Sequence, residues 1–427
     1  MPNLFKFQSI TEMNILIIHN RYQLAGGEDA VVQAEAELLK SYGHDVSVLE
    51  VDNDRIIGVW GKAKAAFSAI YSFSSRNLVS NAIAHHKTEV VHIHNFFPLL
   101  SPSVYDACRD AVVPVVQTLH NYRLGCPKAM LFREGRVCED CIGKALPLPG
   151  VVHGCYRGSR IESAVVASML AVHRLRQTWQ ERVDAYITLT QFQKDKLVQA
   201  GLPSEKIYIK PNFVFTPDII AKTSYDGNYA LFVGRLSEEK GVATLIDAYK
   251  QGSLSIPLKI VGDGPLNEVL QQQVRTLGLE KIITFLGRQN KSVVLNLMRN
   301  AQFLVFPSIW YEGFPLTIAE AFGCGLAVIA PKLGSMAEIV ENGVTGLHFE
   351  AGNSADLAAK IRWATTHPEA MIAMRKRAHS VYETRYTPEV NYQQLIEIYQ
   401  QVINKTMSKP ASKLSGSESS LQSIHSN

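Results

Sequence analysis

Residues 303–321 read FLVFPSIWYEGFPLTIAEA and join a short apolar segment to an amphipathic one. The four apolar residues Phe303–Phe306 are typical of a buried strand. Pro315 suits a first helical turn because its missing N–H would have no partner there, so we expect a helix to begin near Leu316. A strand, a loop and a helix N-terminus in this order place ligands at the carboxyl edge of a parallel sheet. The stretch therefore predicts an α/β fold.

Two carboxylates, Glu312 and Glu320, stand on either side of this expected helix start. The free N–H groups and the positive dipole end of a helix bind anions. Both carboxylates could then accept hydrogen bonds from hydroxyl groups that flank a bound phosphate, which is an arrangement suited to a nucleotide sugar. Glu320 taken alone could equally be a solvated acid on an ordinary amphipathic helix.

The length and the charge of the chain bound its class. A chain of 427 residues is expected to form two domains of roughly 200 residues each. Its 43 basic and 39 acidic residues nearly balance, so no general field favours a nucleic-acid partner. The sequence contains no long uncharged apolar run, so a membrane-spanning helix is not expected. Residues 1–12 lack a signal-peptide pattern. We expect a cytoplasmic protein in which residues 1–12 are an extension, or in which translation starts at Met13.

Short β-branched runs alternate with helical patterns, which predicts two doubly wound, Rossmann-like α/β domains facing a cleft. The predicted strands are Ile15–Ile18, Val46–Val51, Val90–His94, Val113–Thr118, Ala185–Leu189, Ile207–Ile209, Tyr229–Val233, Leu258–Val261, Ile283–Leu286, Phe303–Phe306 and Leu326–Ile329. Two of the predicted helices span Asp29–Tyr42 and Ile161–Arg182.

The domain boundaries follow from composition. Residues 13–213 form the first domain and 229–385 the second, joined by a linker at 214–228 that is rich in turn-forming residues. A C-terminal helix is expected over 386–406, followed by a disordered tail at 407–427, where Ser and Lys dominate.

A second candidate site lies in the loop after the predicted strand Tyr229–Val233. Arg235 offers a planar fork of donors and Lys240 a point charge, which together suit a diphosphate. Cations on a loop are often merely solvated, so this signal is not decisive alone. Further on, Gly262 and Gly264 would let a ligand approach the backbone, although the third glycine of a dinucleotide-binding motif is missing.

Together these segments resemble the retaining glycosyltransferases of the two-domain B fold, specifically family four (glycosyl transferases group 1), which includes many bacterial polysaccharide and lipopolysaccharide enzymes. The matching pieces are the Gly234–Gly241 loop, the Gly262–Pro265 turn, the pair Glu312 and Glu320, and Asn342–Leu347. Their order and spacing fit over residues 229–350, and the amino-terminal half is similar too. The resemblance is specific for the family and the fold but not for the substrate.

The resemblance implies a role for each matching residue. Arg235 and Lys240 would hold the donor diphosphate, Glu320 the ribose hydroxyls, and Glu312 the hydroxyls of the transferred sugar. His120, at the end of the predicted strand Val113–Thr118, matches the histidine beside the reacting centre. A lone histidine at a strand end is more often structural, but its position at the carboxyl edge of the sheet favours the catalytic role. The other implied donor-binding residues are Gly26, Gly27, Gly234, Gly262, Gly264, Gly313, Phe314, Pro315 and Leu316.

The implied reaction moves a sugar from a UDP-, GDP- or ADP-linked donor to a glycan or lipid-linked acceptor, with retention and without a catalytic metal or other cofactor. The expected setting is surface polysaccharide biosynthesis. Two alternatives stay open at this point. The chain could be a nucleotide-sugar epimerase on the same fold, or a nucleotide-sugar-binding subunit without activity.

Four cysteines, Cys126, Cys138, Cys141 and Cys155, lie within the glycine- and proline-rich segment 125–156, which reads as an insertion after His120. A Cys-x-x-Cys step with two further thiols at loop distances is typical of a zinc site. In a reducing cytoplasm a metal is favoured over a disulfide. A closed shell of four thiolates would be structural. The alternative is a set of buried or free thiols.

Arginines downstream of the insertion surround the apolar run 163–172. They are Arg157, Arg160, Arg174, Arg176 and Arg182. Such a segment could rest on the anionic surface of the inner membrane, where a lipid-linked acceptor would lie. A buried helix with solvated ends explains the pattern equally well.

Overall fold

The structure is a computed structural model that describes residues 12–21, 26–51, 68–216 and 227–408. Three of the predicted segments lie wholly or largely outside these ranges. They are the N-terminal extension, most of the linker at 214–228, and the tail at 407–427.

The first domain is built on a parallel sheet of six strands. These strands are β1 (Asn14–Asn20), β2 (Asp45–Val51), β3 (Val90–Asn95), β4 (Val115–Thr118), β7 (Ala185–Thr188) and β8 (Ile207–Ile209), in the spatial order β2-β1-β3-β4-β7-β8. Its helices are α1 (Gly27–Ser41), α2 (Phe73–His86), α3 (Ser103–Asp110), α4 (Leu148–Val152), α5 (Arg160–Leu175), α6 (Thr178–Glu181) and α7 (Gln191–Gln199). A hairpin of β5 (Phe132–Arg133) and β6 (Arg136–Val137) stands apart from this sheet.

The second domain repeats the design with another parallel sheet of six strands. These are β9 (Ala230–Val233), β10 (Leu258–Val261), β11 (Ile283–Gly287), β12 (Phe303–Val305), β13 (Val328–Pro331) and β14 (Gly346–Phe349), in the order β11-β10-β9-β12-β13-β14. The helices are α8 (Val242–Gly252), α9 (Asn267–Thr276), α10 (Lys291–Asn300), α11 (Leu316–Gly323), α12 (Gly334–Ile339), α13 (Ser354–Thr366), α14 (Pro368–Arg385) and α15 (Pro388–Met407).

The order of the strands places the ligand crevices. In the first sheet the order reverses between β1 and β3, and in the second between β9 and β12. Ligands bind doubly wound sheets outside the carboxyl ends of the strands at such a reversal. The two loops singled out from the sequence, after β9 and after β12, thus meet at the crevice of the second domain.

The predicted strands are all present, with ends that differ by at most two residues, and the helix predicted near Leu316 begins at Leu316. The single helix predicted over Ile161–Arg182 is wrong. It is divided into α5 and α6 at Gln177, whose backbone adopts a left-handed conformation with φ of 52°. Strand β14 and the β5–β6 hairpin were not predicted, because their strands have four and two residues and carry almost no periodicity.

The last helix, α15, packs on the first domain although it follows the second along the chain. Its Tyr392, Leu395 and Tyr399 join the core formed by Ile15 and Ile17 of β1. The chain therefore crosses between the domains twice, and α15 ties the end of the second domain to the sheet of the first.

Every helix in the described part of the chain is too short or too polar to cross a lipid bilayer.

A polar network is buried between α15 and the first sheet. The carboxylate of Glu35 on α1 lies 3.0 Å from His92 Nδ1, 3.1 Å from His94 Nε2 and 3.0 Å from Lys210 Nζ. The Tyr399 hydroxyl of α15 lies 2.7 Å from His92 Nδ1. All five residues are at least 96% buried, so each polar group has to find its partner inside the protein.

The charges in this network are set by burial and by neighbours. Burial alone would raise the pKa of Glu35, but the charge of Lys210 and the contacts with His92 and His94 bring it well below its ordinary value. Burial, together with the neighbouring His92, lowers the pKa of His94 to about 4, although Glu35 opposes the change. At neutral pH, Glu35 is therefore ionised and His94 is neutral.

Acid should destabilise the protein through His94. Its pKa is about 4 in the folded protein against an ordinary 6.5, so the unfolded chain binds the extra proton first as the pH falls. The stability that the neutral imidazole contributes is complete above pH 6.5 and is lost progressively as the pH falls toward 4. The loss would reach about 3 kcal/mol. Urea denaturation at a series of pH values across this window measures the free energy of unfolding.

The variant His94→Gln isolates this contribution, because it removes the titrating ring. It should lose less stability than the wild type over the same window, whereas a variant of the exposed His85, His85→Gln, should follow the wild type. An identical pH dependence in His94→Gln and the wild type would contradict the assignment.

Candidate active site

The two crevices open into one cleft between the domains. A cavity of about 910 Å³, which we call the larger cavity, is lined from the first domain by the Gly26–Gly27 turn and His120, and from the second by the loops after β9, β10, β11 and β12. A second cavity of about 630 Å³, the smaller cavity, shares His120 and Arg235 with it and extends along the first domain. The cleft can therefore hold two ligand groups side by side.

The backbones of the two domains meet at Gly313. A Cβ atom at this position would lie 2.6 Å from the carbonyl oxygen of His120, closer than real Cβ contacts allow. Nearby, the Tyr122 hydroxyl donates a hydrogen bond to the carbonyl oxygen of Glu312 at 3.3 Å. Glycine is required here because the loop after β12 has to come within backbone contact of His120.

The cations predicted from the sequence both line the larger cavity. Arg235 is exposed to the cleft and makes no side-chain hydrogen bond or ion pair with any described residue. Lys240 lines the same cavity, as do Pro315, Leu316 and Thr317 at the N-terminus of α11. Two positive side chains and the positive end of a helix dipole therefore converge on one space, which is favourable for a ligand with several negative charges.

Glu312 is buried and its carboxylate is already held in place. One oxygen, Oε1, accepts hydrogen bonds from Lys240 Nζ at 2.7 Å, Ser308 Oγ at 2.8 Å and Trp310 Nε1 at 2.8 Å. The exposed fraction of Glu312 is 6%. Charge-assisted hydrogen bonds of this kind fix the position of both partners, so Glu312 and Lys240 form one preorganised unit on the cavity wall.

The glycines of the two loops have a packing role in addition to the ligand contact expected of them. A Cβ atom at Gly262 would lie 1.8 Å from the carbonyl oxygen of Gly234, and one at Gly264 would lie 2.5 Å from that of Leu236. Their missing side chains let the loop after β10 pack against the loop that carries Arg235. All three glycines, Gly234, Gly262 and Gly264, still line the larger cavity. In the first domain, Gly27 approaches the Leu316 side chain across the cleft, with its Cβ position 3.3 Å away.

Glu320 lies in the second turn of α11 and does not line either cavity. Its carboxylate forms an ion pair with Lys291 at the start of α10. It stands three residues after Thr317, which does line the larger cavity, so the two side chains occupy the same face of the helix.

His120 is connected to the buried network of the first domain. Its Nε2 lies 2.9 Å from His94 Nδ1. Since the ionised Glu35 only accepts, His94 must carry its proton on Nε2, which leaves Nδ1 to accept from His120. Burial lowers the pKa of His120 well below its ordinary value, and His94 lowers it further. His120 is therefore neutral, with its proton on Nε2 and its Nδ1 available as an acceptor.

Arg288, Gln289 and Trp310 are among the residues that line the larger cavity and that sequence reasoning missed. Arg288 follows Gly287 at the carboxyl end of β11 and has no side-chain hydrogen bond or ion pair among the residues the structure describes. Its position after a strand end is the same signal that identified Arg235, so the carboxyl-edge rule applied to β11 would have found it. It brings a third cation to the cavity.

The cysteines of the insertion come together beside the smaller cavity, since Lys128 lines both spaces. Cys126, Cys138, Cys141 and Cys155 all line one small enclosed space, and all four are free thiols.

Three of the five arginines near α5 have structural partners. Arg174 donates to the carbonyl oxygens of Leu124, just before the insertion, and of Lys144 within it. Arg176 and Arg182 lie 3.5 and 3.8 Å from the carboxylate of Asp106. The side chains of Val166, Met169 and Leu170 on α5 are buried in the core of the first domain. These contacts are those of a buried helix with polar ends.

The chain contains one Asp-x-Asp sequence, Asp52-Asn53-Asp54, of the kind that can hold a divalent ion against a diphosphate. It lies outside the described residues. The expectation that no catalytic metal is needed therefore depends on the family resemblance alone.

Two family models and several known proteins match this chain. The family model described as Glycosyltransferase Family 4 matches residues 25–216, and the model described as Glycosyl transferases group 1 matches residues 218–381. An uncharacterized glycosyltransferase of Methanocaldococcus jannaschii is 40% identical over 136 residues, which are 32% of this chain and 38% of that protein. The amylovoran biosynthesis glycosyltransferase AmsK of Erwinia amylovora is 24% identical over 228 residues, 51% of this chain and 56% of its own length. The chain spans only 34–56% of the first four curated relatives that it matches.

Among solved structures, HepE of Anabaena in complex with UDP aligns with a TM-score of 0.64 and 21% identity, covering 91% of this chain and 100% of that one. At this identity the likeness shows the fold. It confirms the two Rossmann-like domains predicted from the sequence. The two family models together match all but one residue of 25–381, and the chain therefore belongs to the group 1, family 4 glycosyltransferases.

Proposed function

We propose that this protein is a retaining glycosyltransferase that moves a sugar from a nucleoside-diphosphate sugar to a glycan or lipid-linked acceptor. The observation that carries the proposal is the convergence of Arg235, Lys240 and the N-terminus of α11 on one cavity, with His120 facing them from the other domain. A diphosphate is the ligand group that such a set of donors recognises best.

In this proposal the acceptor hydroxyl attacks the anomeric carbon from the face that the diphosphate leaves. The new bond to the acceptor oxygen forms as the bond to the phosphate oxygen breaks, and the hydroxyl proton passes to the departing phosphate. The protein contributes mainly charge stabilisation, because Arg235, Lys240 and the helix dipole meet the negative charge that grows on the phosphate. These donors are fixed before the reaction, so little reorganisation is needed.

The sugar itself would lie between Glu312 and His120. Glu312, held by Lys240 and two further donors, would accept hydrogen bonds from sugar hydroxyls. The neutral His120 would accept another at Nδ1. Glu35 and His94 act through His120, and we regard them as positioning residues that hold its ring and its tautomer.

The donor nucleotide is proposed from a neighbour. The HepE structures of Anabaena, which share the fold, hold UDP and UDP-glucose, so a UDP-linked sugar is our first candidate, with GDP- and ADP-linked sugars next. Glu320 would receive the ribose hydroxyls in place of Lys291, because it shares a helix face with Thr317 at the cavity wall.

The smaller cavity favours transfer over epimerisation. An epimerase needs room for one ligand, whereas here a separate space of about 630 Å³ adjoins the larger cavity and is lined by Arg123, Lys128, Tyr156 and Arg157. These side chains would contact the acceptor. Cations and a tyrosine suit a glycan that carries phosphate or a carboxylate. Several relatives carry names from amylovoran and lipopolysaccharide biosynthesis, which supports a place in surface polysaccharide synthesis.

A lipid-linked acceptor would require the protein to reach the membrane surface. Leu148 and Val152 on α4 and Ile161 on α5 are more than half exposed, and these two helices pack against each other. Arg157 and Arg160 lie between them in the sequence. Apolar side chains beside cations are the features that bind an anionic interface, and we include peripheral contact with the inner membrane in the proposal.

Removal of Arg235 or Lys240 should lower turnover more than any other substitution in the cleft. Arg235→Ala and Lys240→Ala should each lower turnover by about a hundredfold or more, because a charge-stabilising donor is lost in the transition state. The measurement is the initial rate of nucleoside diphosphate release at saturating nucleotide sugar. Arg235→Ala is the cleaner variant, since Arg235 has no side-chain partner among the described residues, while Lys240→Ala also leaves Glu312 without its cation.

The matched control is Arg275→Ala, which removes an exposed arginine on α9 outside both cavities. It should keep wild-type turnover. Unchanged turnover in both cleft variants would overturn the proposed function.

The two carboxylates should contribute to donor binding. Glu312→Gln and Glu320→Gln keep the side-chain volume but lose charge-assisted acceptance, so each should weaken donor affinity by about tenfold, or about 1.5 kcal/mol, with the fold intact. Titration calorimetry with UDP-glucose and circular dichroism measure the two quantities. The exposed Glu268 on α9 supplies the control, Glu268→Gln. Wild-type affinity in both site variants would show that neither carboxylate binds the donor.

A further inference from the structure

We propose that Cys126, Cys138, Cys141 and Cys155 bind one zinc ion, and that this ion orders the wall of the smaller cavity and its contact with the loop after β12. The zinc site needs no assumption about the reaction. The consequence for acceptor use rests on the proposed function.

All four cysteines point into one space. They line a small enclosed cavity of about 10 Å³ between the β5–β6 hairpin and α4, which we call the thiol cavity. Its volume is close to that of one water molecule or one ion. Cys126 and Cys141 are buried, and Cys138 and Cys155 are partly buried. Four thiols from four separate points of the insertion would not share such a space by chance packing of surface residues.

The charge around the thiol cavity suits this ligand set. Four thiolates around one Zn²⁺ carry a net charge of about −2. Lys128 and Arg133 also line the thiol cavity, so two positive side chains are available to offset it. Arg133 is held nearby by an ion pair with Asp140 at 3.0 Å.

The insertion has little else to hold its shape. Apart from cysteine and proline, the buried apolar side chains within residues 125–156 are Ala129, Leu131 and Phe132. The segment contains a hairpin whose two strands have two residues each, and one helix of five residues. So small a core rarely stabilises a segment of this length, and a structural metal is one of the usual remedies.

The four sulfur atoms would have to move closer together to bind the ion. Tetrahedral Zn–S bonds of about 2.3 Å place the sulfurs about 3.8 Å apart. Within the described ranges, the one group of three or more possible ligands with all atoms within 4.8 Å of each other is Glu35, His92 and His94. In that group Lys210 already supplies the positive charge, so it is an ion-paired network. The four thiols therefore need side-chain rotations to reach ligand spacing.

The position of the insertion explains how a bound zinc ion would affect the cleft. Lys128, Met130 and Tyr156 of this region line the smaller cavity. Between two of the cysteines, Glu139 pairs with Lys196 at 2.8 Å. The Lys196 ammonium in turn lies over the ring of Tyr311, the residue before Glu312, at 5.7 Å from the ring centroid. An ordered insertion thus shapes the acceptor side and supports the loop of the second domain at the same time.

Elemental analysis of the full-length protein, purified without an affinity tag, tests the site directly. We expect about one zinc per chain in the wild type and a loss of at least about fivefold in Cys141→Ser. Cys324→Ser changes a buried thiol outside the cluster and should retain the zinc. Equal zinc in the wild type and Cys141→Ser, or wild-type protein that neither contains nor takes up added zinc, would overturn the proposal.

A second measurement covers the case in which Cys141→Ser does not fold. Wild-type protein is titrated with a mercurial thiol reagent in the presence of a zinc-sensitive dye, and one zinc should be released as about four thiols react. After zinc removal, protease should cut within residues 125–156 faster, while UDP still raises the melting temperature. Four thiols that react without any release of zinc would contradict the site. If none of UDP, GDP and ADP raised the melting temperature of zinc-loaded protein, the result would instead count against the proposed function.

Discussion

The close approach of Gly313 to the carbonyl oxygen of His120 is the contact on which the arrangement of the cleft depends. A Cβ atom at Gly313 would lie 2.6 Å from that oxygen, so any other residue would push the domains apart. The contact joins the loops that follow β4 and β12. Strand β12 borders the reversal of strand order in its sheet, and β4 is one strand removed from the reversal in the other. The contact therefore brings His120 to the same cavity as Glu312 and the N-terminus of α11, which neither domain could achieve alone.

The charged residues of the cleft fall into two groups, those paired within the protein and those left to bind a ligand. Lys240 and Glu312 are paired at 2.7 Å and form part of the wall, whereas Arg235 and Arg288 have no ion-pair partner among the residues described. A ligand phosphate would satisfy these two arginines without breaking a contact that holds the protein together. On the opposite wall, Glu35 holds His94 and His94 holds His120. This series of contacts keeps His120 neutral and oriented, and the charge of Glu35 is buried against Lys210.

Much of this could be predicted from the sequence, for identifiable reasons. The strands β1, β8 and β10 are short apolar runs bounded by turn residues, and Glu312, Arg235 and His120 each follow a strand end, where the carboxyl-edge rule applies. Contacts between distant residues could not be predicted. Nothing in the sequence shows that Gly262 packs against Gly234 or that Glu320 pairs with Lys291, because these contacts depend on how loops and helices pack within the second domain. The return of α15 to the first domain depends on how the two sheets are placed. Short elements such as β5, and the break at Gln177, carry too little periodicity to detect.

The central claim is that Arg235 and the N-terminus of α11 bind a nucleoside diphosphate. Thermal denaturation of the wild type with UDP, GDP and ADP tests it most directly, because a ligand that binds only the folded state stabilises it by about 2.7 kcal/mol at a hundredfold excess over Kd. At least one diphosphate should raise the melting temperature of the wild type, and this rise should be much smaller in Arg235→Ala. No rise with any of the three, or an equal rise in Arg235→Ala, would contradict it.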